Sequence, residues 1–365
     1  MPTPHDDPTR VWAFAPGRVE LLGNHTDYNE GLVLGAAIDR GLTVSGKSRQ
    51  GNTVAIRSAT MGHVEVELDG LQPLTEMKWA NYALGVVREL IEAGVPVAAF
   101  EAEVEGNLPA RSGLSSSAAF EVATALFLLR LEHHELPPMT LAKLCQRAEH
   151  RFVGVQSGLL DQVISIFGRE HHLIFFDTRT EEVRTIPFPA DLALIIAGSG
   201  KERELSRGDY NLRREQTHAA ATALGVRALR DVSSAELAKR SDIDPLLSRR
   251  ARHIVEENER VRQAIKFLAN NDAAAFGKLM NDSHESSRMN FENSTAELDL
   301  LVQLAREQAG VLGARLTGAG FGGAIVALCC RGQAEDASGQ LHAAYLERTG
   351  ISSEVFVCRI SEGAR

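Results

Sequence analysis

Cysteine is scarce in this chain: four in 365 residues (Cys145, Cys329, Cys330 and Cys358), with no CxxC spacing among them. That scarcity excludes a disulfide-built scaffold and is expected of reduced core thiols in a cytosolic protein. The vicinal pair Cys329-Cys330 ends an apolar run that reads as a buried strand. An excess of positive charge is also missing. Lys+Arg number 39 against 48 Asp+Glu, a net charge of −9, which excludes a broad nucleic-acid-binding surface but leaves a few local Arg and Lys residues to hold a small anion. No stretch approaches the roughly 18 uninterrupted apolar residues of a membrane span. Residues Met1–Arg10 are polar and hold no apolar signal region. The expected setting is therefore cytoplasmic, away from membranes. Internal repeats and low-complexity segments are absent as well. What the chain does have is ordinary globular composition, 44% hydrophobic and 24% charged, at a length that suggests about two domains.

Strands dominate the first half. Val11–Phe14, Gly31–Ile38 and Gly41–Ser48 read as strands, and Val64, Val66 and Leu68 alternate with His63, Glu65 and Glu67. Helical spacing runs from Trp79 to Ala93 through Tyr82, Val86, Val87 and Leu90, stopping at Gly94 with Pro96 beyond. Phe100, Ala102 and Val104 form a strand leading into a serine-rich loop, and helices follow from Ala118, over Thr140–Phe152 and near Leu159–Phe167. Apolar strands His172–Phe176 and Leu192–Ala197 flank the charged, turn-rich stretch Asp177–Asp191. The boundary is placed there, giving domains 1–188 and 189–365. Helices Asn211–Leu224, Leu246–Asn270, Ala273–Ser283 and Thr295–Gln308 dominate the second half. It closes with strand Ala314–Thr317, a glycine-rich turn, strand Ala324–Cys329, a helix to about Leu346 and strand Glu354–Cys358. That order predicts an α+β fold, not a repeating βαβ one.

Four segments carry chemistry. Residues 115–119 read Ser-Ser-Ser-Ala-Ala between Gly113-Leu114 and an apolar helix. Small side chains, hydroxyls and the unpaired N–H groups of a helix start suit a polyphosphate, although serines before a helix also serve as plain N-caps. Gly318-Ala-Gly320-Phe-Gly322-Gly323 matches GxGxxG, but a strand follows it, so the dinucleotide-binding context fails. Its four glycines exceed what a hairpin needs and point to close backbone approach to a ligand or to the other domain. Gly198-Ser-Gly200-Lys201 is no P-loop, since position 195 is Ile and position 202 is Glu; Lys201 and Arg203 read as solvated. Between the first two strands, Arg18, Glu20, Asn24, His25, Thr26, Asp27 and Tyr28 give a density of donors and acceptors suited to a polyhydroxylated ligand. Finally, Asp161 opens an apolar helix and Glu149 lies in the helix before it. A cap and a surface residue are the plain readings; a general base and a metal ligand are the functional ones.

Together these segments resemble the three motifs of the GHMP small-molecule kinases, and the first resembles the galactokinase signature Gly-Arg-Val-Asn-Leu-Ile-Gly-Glu-His-Thr-Asp-Tyr-Asn. Here it reads Gly17-Arg18-Val19-Glu20-Leu21-Leu22-Gly23-Asn24-His25-Thr26-Asp27-Tyr28-Asn29. The second motif is Gly113-Leu-Ser-Ser-Ser-Ala118 and the third Thr317-Gly-Ala-Gly-Phe-Gly-Gly323. Order and spacing agree along nearly the whole chain.

The resemblance implies an N-terminal ribosomal protein S5 domain 2-like domain and a ferredoxin-like C-terminal domain, with the active-site cleft between them. It implies transfer of the ATP γ-phosphoryl group to the C1 hydroxyl of α-D-galactose, with Mg²⁺ as cofactor and no obligate protein partner. Asp161 would be the catalytic base and Arg18 its partner. Asn24, His25, Asp27, Gly158 and Tyr210 would contact the sugar. Gly113, Leu114, Ser115, Ser116, Ser117 and Ala118 would wrap the phosphates, with Gly320 also at the nucleotide and Trp79 either stacking adenine or packing in the core. Ser117, with Ser116 as the alternative, and Glu149 would hold Mg²⁺. Catalytically silent sugar sensors of this superfamily lose residues from the serine segment, which is complete here, and mevalonate and homoserine kinases lack the His25-Thr26-Asp27-Tyr28 string.

One departure bears on the substrate. Family members carry Asn and Glu where this chain has Glu20 and Asn24, as though the two had exchanged. The usual Glu contacts the sugar's C6 hydroxyl. Either Glu20 restores the missing carboxylate and galactose is kept, the preferred reading, or the pocket takes a sugar with a different C6, such as galacturonate, which a Glu would repel.

Overall fold

The computed structural model describes residues 10–108, 113–201 and 207–365. Residues 1–9 and Arg203, read above, lie outside that set. The first half runs β1 (Val11–Leu22), β2 (Leu32–Ser48), β3 (Thr53–Ser58), β4 (Gly62–Glu67), α1 (Asn81–Glu92), β5 (Phe100–Gly106), α2 (Ser116–Leu131), α3 (Pro138–Ala148), α4 (Leu160–Phe167), β6 (His172–Asp177) and β7 (Glu182–Pro187). The second runs β8 (Leu192–Gly198), α5 (Arg207–Leu224), α6 (Ser234–Leu237), α7 (Pro245–Ala269), α8 (Ala273–Ser286), α9 (Ala296–Arg306), β9 (Val311–Thr317), β10 (Ala324–Cys330), α10 (Ala334–Thr349) and β11 (Val355–Cys358). All strands through β7 join one seven-stranded sheet; β8 to β11 form a four-stranded antiparallel sheet in the order β11-β8-β10-β9. The architecture is α+β, as expected.

The local signals act as their chemistry demands. Gly94 takes a positive φ after α1, and Gly94 and Val95 donate back to Ile91 and Leu90, closing the helix. Asp244 caps α7 by accepting from Leu246 and Leu247, with Pro245 at the first helical position.

Four strand readings are corrected. β1 does not stop at Phe14 but continues to Leu22, so half of the polar first motif is strand, not loop. β2 is one strand of 17 residues across Asp39 and Arg40, held by β1 on one side and by β5 and then β6 on the other. β3, buried between β4 and β5, shows only the short run Val54-Ala55-Ile56 where alternation would have marked it. β7 falls inside the stretch read as turn-rich; it is an edge strand whose charged residues hide it.

The two sheets share a core. Val19, Leu21 and Leu34 from β1 and β2 pack with Leu194 and Ile196 of β8, Val326 of β10 and Val261 of α7. Helices α1 to α3 cover the far side of the first sheet, and α9 and α10 that of the second. Leu34 is fully buried in the shared layer. Leu34→Ala is expected to lower stability by about 2–5 kcal/mol, the cost of an unfilled core cavity, read by urea denaturation; a loss near zero would mean the halves do not depend on this layer.

Candidate active site

The site starts from a slip in β1. Pairing with β2 shifts between Pro16 and Arg18, and there β1 comes so close to the next loop that a Cβ on Gly17 would lie 2.7 Å from the Leu114 carbonyl oxygen. Arg18 N–H donates to that same carbonyl at 3.0 Å. The approach brings the Arg18 guanidinium against helix α4. Its Nε and Nη2 meet Asp161 Oδ1 at 2.7 and 2.6 Å, and Nη1 donates to the Gly113 carbonyl at 2.7 Å. Ser115 Oγ donates to Asp161 Oδ2. Neither residue at these helix starts is a cap: no side-chain cap bond closes α2 or α4. Ser115 occupies the N-cap position with φ 60° and ψ 47°, a left-handed conformation that costs a non-glycine residue about 1–3 kcal/mol. The N–H groups at the mouth of α2 are thus left without a side-chain cap, beside Ser116 and Ser117.

Beyond Arg18 the first motif folds into a polar loop. His25 Nε2 meets the Ala319 carbonyl at 2.9 Å and Nδ1 meets Tyr28 Oη at 2.7 Å. A carbonyl only accepts, so the proton sits on Nε2 and the Tyr28 hydroxyl donates to Nδ1. Burial holds this imidazole neutral, its pKa lowered to about 3. Both ring nitrogens are engaged by protein, and the ring packs against Tyr210 and Phe291. Asp27 is raised to about 7, first by burial and then by the charges of Asp161 and Glu20. Its carboxylate occupies the space a Cβ on Gly158 would need.

The second sheet closes the loop from the other side. Asn24 is fully buried. Its Nδ2 donates to Glu20 Oε1 at 2.9 Å and to the Gly318 carbonyl at 2.8 Å, while its Oδ1 accepts from Asn293 Nδ2 at 2.9 Å. Arg315 Nη1 donates to the same Glu20 oxygen at 3.0 Å. Burial raises the Glu20 pKa, against the pull of Arg315 and Arg18. Glu257 of α7 accepts the backbone N–H groups of Gly23 and Asn24 at 2.9 and 3.0 Å; burial opposes its charge, but Arg260 and Arg315 bring it to about 2. The glycine-rich turn lies against the first motif, its Gly318 and Ala319 carbonyls taken by Asn24 and His25, and it is also close-packed on its other side. A Cβ on Gly320, at φ +81°, would lie 2.2 Å from the Asn293 carbonyl oxygen.

A cavity of about 370 Å³ gathers most of the residues singled out from the sequence: Arg18, Glu20, Asn24, His25, Asp27, Gly113, Ser115, Ser116, Ser117, Glu149, Gly158, Asp161 and Tyr210. Leu114 and Ala118 are buried beneath it. Trp79 and Gly320 do not line it. Trp79 packs against the core of the first sheet, stacked on Phe120 with ring centroids 6.1 Å apart, while Tyr82, one turn further on, reaches the cavity. Residues not foreseen are Ser157, Asn211, Ala319 and the supporting group Arg315, Glu257 and Asn293. A signal existed for two of them: Arg315 interrupts an apolar strand, and Glu257 lies on the buried face of α7.

An uncapped helix mouth and a carboxylate–guanidinium pair thus meet at one polar cavity, and the family models that match the chain are those of the GHMP small-molecule kinases. The GHMP kinases N terminal domain matches residues 81–169, the galactokinase galactose-binding signature residues 4–48, and the GHMP kinases C terminal domain residues 264–347. Curated relatives include galactokinases of Haemophilus influenzae, 41% identical over 99% of this chain and 96% of the relative, and of Roseiflexus sp., 40% identical over 96% and 91%. Lactococcus lactis galactokinase complexed with galactose superposes with a TM-score of 0.94 at 34% identity, over 99% of this chain and 96% of that one. Methanococcus jannaschii mevalonate kinase, at 19% identity and a TM-score of 0.70 over 98% and 100%, shares the fold. The chain belongs to the galactokinase family, and it is a kinase.

Asp27 sets a pH dependence that is separate from turnover. Its pKa rises from an ordinary 3.8 to about 7 in the fold, so between about pH 4 and 7 the native state binds more protons than the unfolded chain, and this group's contribution to stability falls as pH rises. Asp27→Asn removes that penalty. The variant is expected to gain on the order of 1–3 kcal/mol over wild type at pH 8 and nothing at pH 4, by paired denaturant titrations; an equal effect at both pH values contradicts the assignment.

Proposed function

We propose that this chain transfers the γ-phosphoryl group of ATP to the anomeric hydroxyl of galactose, in the cleft between residues 1–188 and 189–365. The observation that supports this most is the convergence of Arg18, Asp161 and Ser115 at the mouth of α2. Phosphoryl transfer depends on aligning the acceptor oxygen with the γ-phosphorus and on neutralising the charge spread over the transferring group. In this reading the uncapped start of α2, with Gly113 to Ser117, holds the phosphates. Asp161 orients the sugar hydroxyl and takes its proton as the oxygen bonds to phosphorus and the bond to ADP breaks. Arg18 steadies both the carboxylate and the oxygen. Asp27, Gly158 and Tyr210 line the sugar end. A neutral sugar suits this lining better than an anionic one, because Glu20, Asp27, Glu149 and Asp161 face the cavity with Arg18 as the cation among its described residues.

The residues also fit a divalent cation. Glu149 is buried, has no cationic partner among the described residues, and takes its bonds from the Ser157 hydroxyl and Gln162. Ser117 lies within hydrogen-bonding reach of it. No group of three His, Cys, Asp or Glu side chains that could hold a metal occurs among the described residues, as suits Mg²⁺ shared with ATP phosphates and water. Ser117 and Glu149 would hold it, and when bound it would offset phosphate charge. No described helix is long and apolar enough to cross a membrane; a cytoplasmic setting, with ATP at hand and four free thiols, suits the reading.

Asp161→Asn keeps the shape and removes the base. We expect kcat for galactose to fall by about 10²–10⁴-fold with a KM change of only a few fold, measured by ADP release; turnover within a few fold of wild type would exclude an essential carboxylate.

A further inference from the structure

We propose that Glu20 is the residue by which this chain selects its sugar, accepting a hydroxyl on the far side of the ring from the phosphorylated one, and that Asn24 has left that task to become part of the scaffold. The proposal rests on the galactokinase reading above. Three observations carry it. First, the two residues that depart from the family signature touch each other: Asn24 Nδ2 donates to Glu20 Oε1 at 2.9 Å. Second, the Asn24 amide has nothing left to offer a ligand. Both its N–H groups are given to Glu20 and Gly318, and its oxygen takes Asn293; this pattern also fixes which way the amide points. Third, Glu20 does have something left. Asn24 and Arg315 both bond Oε1, and Glu20 lines the cavity with Oε2 unbonded among the described residues.

Placement follows from strand geometry. Arg18 and Glu20 pair with Ala37 and Gly35 in unbroken register, so they share one face of β1 about 7 Å apart, while Val19 between them is buried in the apolar layer. Arg18 stands at the reacting hydroxyl, and Glu20 therefore stands across the ring. A buried carboxylate fixed by Arg315 takes a neutral hydroxyl as donor and repels a sugar bearing an anion there.

The test is a deoxygalactose panel (2-, 3-, 4- and 6-deoxy) run against wild type and Glu20→Gln, with ADP release as readout. Glu20→Gln keeps the oxygen that Arg315 and Asn24 hold but turns the cavity-facing acceptor into a donor. Wild type should discriminate against one deoxy sugar by about 10–100-fold in kcat/KM, and the variant should lose at least tenfold of that discrimination while its ranking of the others holds. An unchanged ranking in a folded variant overturns the proposal. Should Glu20→Gln fail to fold, the exchange cycle decides: Glu20→Asn and Asn24→Glu each lower galactose kcat/KM more than tenfold, and the double variant restores it to within about tenfold of wild type. A double variant no better than the singles overturns the proposal. Absence of galactose turnover in wild type would instead sink the kinase reading itself.

Discussion

Arg18 is the constraint from which the rest of the site follows. Its guanidinium is planar and rigid, so a group that binds Asp161 with two nitrogens and the Gly113 carbonyl with the third dictates where helix α4 and the loop before α2 can lie. Neither could shift by an ångström without leaving a nearly buried cation short of partners, a costly state. The backbone is arranged around this demand: the slip in β1, the bare Gly17 under Leu114, and the left-handed Ser115 that turns its hydroxyl to Asp161 instead of capping its helix. Strain at Ser115 leaves α2 with N–H groups still to be bonded, which suits a site for polyphosphate.

A second group of buried charges ties the halves of the chain together. Glu20, Asn24, Arg315 and Glu257 are buried and bonded across the boundary between the sheets, and Arg260 pairs with Glu257 within α7. Buried ion pairs contribute little net stability, because desolvation offsets most of the attraction. Apolar contacts between β1, β2, β8 and α7 already hold the sheets together. What the polar group adds is position: Glu257 holds two successive N–H groups of the first motif, and His25 and Asn24 hold two carbonyls of the third. Loops that contribute to one cavity from distant parts of the sequence are thereby kept in register.

Much of this was legible from residue order. Helix α1 announced itself through apolar spacing and its glycine stop at Gly94, and the three motifs through residue types that have little other use together. The failures share a cause. β3 and β7 were missed because one is buried on both sides and the other is a charged edge, so neither alternates. His25 and Asn24, which the resemblance placed at the sugar, do line the cavity, but residue order gave no sign of the protein partners that hold them, Ala319, Gly318 and Asn293. The sequence leaves Trp79 open between stacking adenine and packing in the core; in the structure it packs on Phe120, and Tyr82 reaches the cavity. Arg315 and Glu257, overlooked, were the informative residues: a charge in an apolar strand and another on a buried helix face each need a buried partner, and they find Glu20 and Arg260.

The claim that Arg18 and Asp161 act as one unit is tested most directly by a double-mutant cycle on kcat/KM with ATP and galactose, using Arg18→Lys, Asp161→Asn and the combination. Groups that work as a unit lose little more together than the worse one loses alone. We therefore expect the double variant to fall within about tenfold of the weaker single variant. Losses that simply multiply would show two independent contributions and would contradict the account.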